Sequence, residues 1–280
     1  MSTIIDGKKV ANDIFIKLKE TIENEPKKPG LAVILANSDS ASKIYVNNKE
    51  KRSAQLGIKS SVYRFDKSIT QEQLIKLIHE LNNTPSINAI LVQLPLYKHL
   101  NAQEILELID PKKDVDGFHP INMGRLCANL PAYATPCTPK GIIKLLKEYN
   151  IDMVGKNAVV IGRSNIVGKP TALLLSNENA TVTIAHSKTK DLKKITKNAD
   201  IIVSATGCPK LIKADMVKKG AVVIDVGITK QLDKSLVGDV DFEKVKNVAG
   251  YITPVPGGVG PMTIACLMEN TYRLFKLQNK

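Results

Sequence analysis

Residues 31–93 alternate between short apolar runs and segments with helical spacing, and this alternation constrains the fold more than any other feature of the chain. LAVILA (31–36) is a run suited to a buried strand, SASKIYVNNKEKRSAQLG has the spacing of a helix, IKSSVYRF returns to a strand, TQEQLIKLIHELN to a helix and INAILVQ (87–93) to a strand. Strands that alternate with helices are joined by crossovers, so the series predicts a parallel sheet with helices on its faces. KVANDIFIKLKETIE predicts one more helix ahead of it. Aromatic residues make up 4% and Trp is absent, which leaves Ile, Leu, Val and Ala to build the core, as in layered α/β proteins.

The texture changes at PAYATPCTPKGIIKLLKEY, where prolines crowd the start of a helix. Thr138 is the predicted N-cap, with Pro139 at the first helical position, where a missing N–H costs nothing. A domain boundary is placed here. A second series follows: NAVVIG as strand, VGKPTALLLSNE as helix, ATVTIAH as strand, TKDLKKITKNA as helix, then DIIVSATG and GAVVIDVGI as strands. PVPGGVGPMT (254–263) predicts a loop and IACLMENTYRLFKLQ a long amphipathic helix that returns to the first domain. The expected architecture is α/β in two domains: an αβα parallel-sheet domain of residues 1–138 with 264–280, and a Rossmann-like domain of residues 139–263.

Charge and composition remove several classes of function. The 280 residues carry a net charge of +13, the electrostatic footprint expected of a nucleic-acid-binding surface. Yet the arginines are Arg52, Arg64, Arg125, Arg163 and Arg273 alone, the lysines are dispersed, and no recognition motif accompanies them. No nucleic-acid partner is expected; the charge suits attraction of anionic small molecules. Cys127, Cys137, Cys208 and Cys266 form no C-x-x-C pair and His79, His99, His119 and His186 are scattered, so neither a disulfide framework nor a metal site is expected. No stretch is apolar enough for a signal peptide or a membrane span, and the expected location is the cytoplasm.

VVIGRSNIVGKPTALLL (159–175) has the outline of a strand, a glycine turn and a helix, but Gly162 is followed by Arg163 and Ser164, and the next glycine is Gly168. In a Rossmann unit the pyrophosphate sits at the N-terminus of this helix, and an acid about 20 residues on binds the ribose of NAD. Here the second strand ends in His186, Ser187 and Lys188. A carboxylate there would repel a 2′-phosphate, whereas these groups with Arg163 would bind it through charge-assisted hydrogen bonds. The pattern favours NADP over NAD; the plainer alternative is a tight connection with a solvated arginine. Tyr45 and Lys49 lie four apart and share a helix face. Alone they read as a half-exposed helical pair, or as the proton-donating pair of a short-chain dehydrogenase, against which their position ahead of the glycine turn argues.

YVNNKEKRSAQLGI, ILVQLPL, KDVDGFHPINMGRL, PCTPKGI, VVIGRSNIVGKP, ATVTIAHSKT, GDVDF and PVPGGVGPMT together resemble, in order and across nearly the whole chain, the bifunctional methylenetetrahydrofolate dehydrogenase/methenyltetrahydrofolate cyclohydrolase family. The resemblance implies oxidation of 5,10-methylenetetrahydrofolate by NADP⁺ and hydrolysis of the methenyl product to 10-formyltetrahydrofolate, within one-carbon metabolism and purine biosynthesis. It implies Lys49 as the catalytic amine, which must be neutral part of the time to act as a base. It also implies Gln93 as that amine's hydrogen-bond partner, Tyr45 as a stacking platform for the pterin and Asp116 as the acid that reads the pterin's N–H edge, with Asp114 a turn acid. Ile228 matches a position at the nicotinamide end of the cofactor. Pro256, Gly257, Gly258, Gly260 and Pro261 match a substrate loop, for which a rigid return linker is the plainer role. A homodimer formed through the second domain is a further implication. The chain departs from the family pattern at Ser40, where proline is usual, at Thr229, where asparagine is usual, and at Lys188, where arginine is common.

Overall fold

The structure is a computed structural model and describes residues 2–231, 233 and 235–279. It divides into two compact units: Ile14–Thr135 with the residues from Leu267 on, and Pro136–Cys266 with the residues up to Asp13. The chain opens with strand β1 (Thr3–Ile4) and helix α1 (Gly7–Glu23), which continues past Asp13 from one unit into the other.

The alternating segment forms β2 (Gly30–Leu35), α2 (Ser40–Gln55), β3 (Lys59–Arg64), α3 (Gln71–Asn82) and β4 (Ala89–Val92). The strands lie in the order β3-β2-β4, all parallel, with Val33 of β2 opposite Val62 and Leu91. Every residue of β2 and β4 is buried, which is why both are continuous apolar runs rather than alternating ones. Ile34, Leu74, Ile78 and Ile90 meet in one core cluster, each worth about 1.5–3 kcal/mol on burial. Thr70 and Gln73 close a reciprocal capping box at the start of α3. Two short helices that lacked a legible period follow, α4 (Ala102–Glu107) and α5 (Pro120–Cys127).

The other unit begins at α6 (Cys137–Glu148) and continues through β5 (Asn157–Ile161), α7 (Gly168–Asn177), β6 (Thr181–Ala185), α8 (Leu192–Thr196), β7 (Ile201–Ser204) and β8 (Val222–Asp225). The hairpin β9 (Thr229–Lys230) and β10 (Leu236–Val237), α9 (Phe242–Val245), β11 (Tyr251–Ile252) and α10 (Val259–Gln278) complete the chain. Six strands form a parallel sheet in the order β1-β11-β8-β7-β5-β6. From β5 the chain moves to β6 on one side and then to β7 on the other, so the order reverses between β5 and β7, the place where such sheets bind ligands beyond the strand ends.

Three details differ from the sequence-based reading. Residues up to Asp13 group with Pro136–Cys266 because β1 adds to the sheet edge beside β11, with Thr3 N donating to Gly250 O at 2.8 Å; a two-residue strand has no period to read. Helix α6 starts at Cys137, so Thr138 is not the cap; it lies in the first turn with its Oγ1 2.9 Å from Thr263 Oγ1. Helix α10 starts at Val259, inside the expected loop, because Pro261 falls in the first turn, whose N–H groups have no intrahelical acceptor anyway.

Among the described residues no helix is long and apolar enough to cross a membrane, and no group of three or more His, Cys, Asp or Glu side chains could hold a metal ion. All four cysteines are free thiols.

Candidate active site

In the unit built on β2, helix α2 carries the first part of the site. Asp39 caps it, its carboxylate accepting from Ser42 N at 2.8 Å and Ser42 Oγ at 3.0 Å. The face that α2 buries is Ser42, Val46, Lys49 and Ser53, a polar set where a packing helix presents an apolar stripe. Lys49 is 8% exposed, and its Nζ donates to Gln93 Oε1 at 2.9 Å. Gln93 follows the last residue of β4; its backbone N donates to Ile34 O, and its own amide Nε2 donates to Leu94 O at 3.0 Å. That second bond turns the carbonyl end of the side chain toward the lysine. Tyr45, one turn before Lys49, is half-buried, and burial pushes its phenol above the usual range, so it is a neutral hydroxyl near pH 7.

Asp116 lies in a loop fastened to β4. Ile90 N donates to Lys113 O at 2.7 Å, and Asp114 bridges to Ile90 in parallel. Asp114 is 2% exposed and accepts from Phe118 N, His119 N and Asn122 Nδ2. Burial pushes its carboxyl above the usual range while these donors pull the other way. Asp114 is therefore the buried organiser of the turn, and Asp116, two residues on, is half-buried. From α10, Asn270 Nδ2 donates to Val115 O at 2.9 Å and to Thr135 O at 2.8 Å, which fixes the carbonyl next to Asp116. Asn122 and Asn270 are supporting residues that sequence patterns did not single out. The available signal was an amide on the buried stripe of a helix, since a buried amide must find partners.

The glycine turn after β5 lies in the other unit. Gly162 has φ +126°, and a Cβ on it would lie 2.4 Å from Ala205 O; a Cβ on Gly168 would lie 2.2 Å from Gly162 O. Both positions therefore require glycine, and the turn is pressed against the chain leaving β7, at the sheet's reversal point. Ser164 Oγ accepts from Val167 N and Gly168 N, so this serine satisfies N–H groups at the start of α7. Arg163 is exposed beside it. At the end of β6, His186 N donates to Thr189 Oγ1 at 2.8 Å, and His186 Nδ1 accepts from Lys188 N at 3.2 Å. Ser187 and Lys188 are exposed, and residues 185–190 contain no carboxylate. A turn closed by glycines at both ends, leading into a helix N-terminus, and a basic, hydroxyl-bearing strand end fit a dinucleotide carrying a 2′-phosphate.

Ile228, 43% exposed, follows β8 in the same unit. Gly260 has room, a Cβ there reaching Ile228 Cδ1 at 3.8 Å. Gly258 does not: a Cβ on it would lie 2.6 Å from Pro254 O, and one on Gly7 would lie 1.8 Å from Gly258 O. Gly257 takes φ +110° and its carbonyl accepts from Lys8 N. Close packing accounts for Gly258, and its positive φ for Gly257. Gly260 is the glycine beside Ile228, with Pro261 half-buried next to it and Pro256 exposed.

Comparison with known proteins gives the family. Residues 5–116 match the model of the tetrahydrofolate dehydrogenase/cyclohydrolase catalytic domain, and residues 136–279 match that family's NAD(P)-binding domain. The chain belongs to the tetrahydrofolate dehydrogenase/cyclohydrolase family. It is 51% identical over 280 residues to the bifunctional protein FolD of Acetivibrio thermocellus, covering 99% of this chain and 98% of that one. Its fold superposes on the crystal structure of the bifunctional FolD enzyme of Campylobacter jejuni with a TM-score of 0.97 at 50% identity, covering 99% of each chain. It superposes on the Trypanosoma brucei family member complexed with NADP cofactor and inhibitor with a TM-score of 0.95 at 38% identity, covering 100% of this chain and 99% of that one.

Proposed function

We infer that this family member oxidises 5,10-methylenetetrahydrofolate to the 5,10-methenyl cation with NADP⁺ and hydrolyses that cation to 10-formyltetrahydrofolate. The observation that carries the reading is the Lys49–Gln93 hydrogen bond at the carboxyl end of a parallel sheet, in a chain of this family. Bound NADP⁺ supplies the hydride acceptor. Arg163, His186, Ser187 and Lys188 hold its 2′-phosphate, the turn from Gly162 through Ser164 to Gly168 admits its pyrophosphate, and Ile228 lines its nicotinamide end.

Lys49 serves the proton transfers. Water adds to the methenyl carbon and gives a proton to the lysine amine, which passes it to N5; the bond between that carbon and N5 then breaks as the added hydroxyl loses its proton, leaving the formyl group on N10. One proton in net leaves to solvent. Gln93 holds the amine in register with its carbonyl oxygen, the neutral Tyr45 ring supports the pterin face, and both oxygens of Asp116 accept from the two adjacent N–H groups of a 2-amino-4-oxopterin. Gly260 and Pro261, in the loop that also carries Pro256, border the nicotinamide end beside Ile228.

We further propose that the enzyme acts in the cytoplasm, supplies formyl groups for purine biosynthesis and assembles as a homodimer through its NAD(P)-binding unit. Support for the last comes from β6, an edge strand of the six-stranded sheet, on which Ile184 is 42% exposed. The deciding experiment follows the absorbance of the methenyl product with NADP⁺ and with NAD⁺ in turn. Turnover with NADP⁺ preferred is the expected result; absence of the methenyl species would remove the reading.

A further inference from the structure

We propose that Asp239 is a positioning residue for the dinucleotide: with Asp225 it clasps the chain leaving β7 to the chain leaving β8, and so fixes the backbone that borders the nicotinamide end. The inference rests on placing the cofactor at the carboxyl edge of this sheet, as above.

Both carboxylates are buried, Asp225 at 3% and Asp239 at 0% exposure. Asp225 Oδ1 accepts from Gly227 N and Asp239 N, and its Oδ2 accepts from Val240 N. Asp239 Oδ2 accepts from Ser204 Oγ, Thr206 N and Thr206 Oγ1. The clasp is reciprocal. A Cβ on Gly227 would lie 2.1 Å from Asp239 Oδ1, and a Cβ on Gly238 would lie 1.9 Å from Asp225 Oδ2, so each glycine exists to admit the other strand's carboxylate. Asp239 Oδ1 is buried with no hydrogen-bond partner.

Burying two neighbouring carboxylates is a poor way to gain stability, since apolar side chains of similar volume would do at least as well. What a satisfied polar network does supply is one fixed geometry. The residues fixed here are those that matter to a ligand. Ala205, between Ser204 and Thr206, presents the carbonyl against which Gly162 is packed, and Ile228 follows Gly227 directly. No atom of Asp239 has to touch the cofactor for its loss to move both walls.

The test uses Asp239→Asn and Thr206→Val in the full chain, with Arg163→Ala alongside. Asp239→Asn is expected to raise the NADP⁺ dissociation constant and the NADP⁺ KM roughly tenfold. Cyclohydrolase turnover of added methenyltetrahydrofolate, measured without cofactor, should stay at the parent value. Parallel loss of both activities, or a folded variant with parental NADP⁺ affinity, would overturn the role. If Asp239→Asn does not fold, Thr206→Val decides, because it removes one donor and keeps the carboxylate; an unchanged NADP⁺ dissociation constant there also overturns it. Parental affinity in Arg163→Ala would instead sink the cofactor placement itself, whereas loss in Arg163→Ala without loss at Asp239 would refute the clasp alone.

Discussion

Gln93 holds the Lys49 amine through a single carbonyl oxygen, and that oxygen is itself aimed by the bond its amide makes to Leu94 O. Gln93→Leu removes this acceptor from the buried lysine donor, at a cost of about 1–3 kcal/mol. Cyclohydrolase kcat should fall about 10- to 100-fold with the NADP⁺ KM unchanged, read from the decay of methenyl absorbance. Lys49→Ala should abolish hydrolysis while NADP⁺ still binds in a fluorescence titration; retained hydrolysis would take that lysine out of the chemistry. Asp225 makes a prediction of another kind. Burial, together with the charge of Asp239, pushes its carboxyl up to about 6 from 3.8, against the pull of its backbone donors. The folded state therefore binds the extra proton between those values, and this group's stabilisation is present below the lower one and is lost as pH rises through the upper one. The loss is about 3 kcal/mol at 1.36 kcal/mol per pH unit. Asp39, Asp66 and Asp200 act with the opposite sign, their carboxyls held low by Ser42, Ser68 and Lys218 respectively. Urea unfolding at about pH 4 and about pH 7 should show the difference between parent and Asp225→Asn shifting against the parent as pH rises; a difference independent of pH would contradict the assignment.

At the scale of elements, α2, α7 and α10 each place a proposed functional position where packing already constrains the residue. On α7 that residue is Gly168, where a Cβ would meet Gly162 O at 2.2 Å. Gly168→Ala must push the turn away from the helix, a strain of about 1–3 kcal/mol, and should lower both the melting temperature and NADP⁺ affinity. On α10 it is Asn270, which satisfies two carbonyls at once. Asn270→Leu leaves Val115 O and Thr135 O without that donor, at about 1–3 kcal/mol for each buried group. The loop bearing Asp116 is then free to shift, so the folate KM should rise while the NADP⁺ KM holds. On α2, burial of Ser42, Lys49 and Ser53 in place of a plain apolar stripe is a departure from helix patterning that the sequence displays openly, and it falls where the site is.

For the molecule as a whole, the net charge of +13 sets a field that favours anionic ligands. Raising ionic strength from about 0.05 to about 0.5 M should raise the NADP⁺ KM several-fold, since screening shortens the reach of that field. A KM indifferent to salt would confine the attraction to the local contacts.

Periodicity gave the longer strands and the helices between them, and glycine spacing gave the turn after β5, because buried strands and amphipathic helices write their environment into runs of about five to fifteen residues. The resemblance of successive motifs then carried the activity and the residues Lys49, Gln93 and Asp116. Tertiary structure decided the rest. Only folding brings Lys49 to Gln93 across 44 residues, sets Asn270 beside Val115 across 155, and joins β1 to β11 through a two-residue pairing. It also gave Gly227 and Gly238 their reason, a carboxylate lodged against each. Such contacts depend on which strand lies beside which, and a strand order is a property of the closed sheet, not of any segment within it.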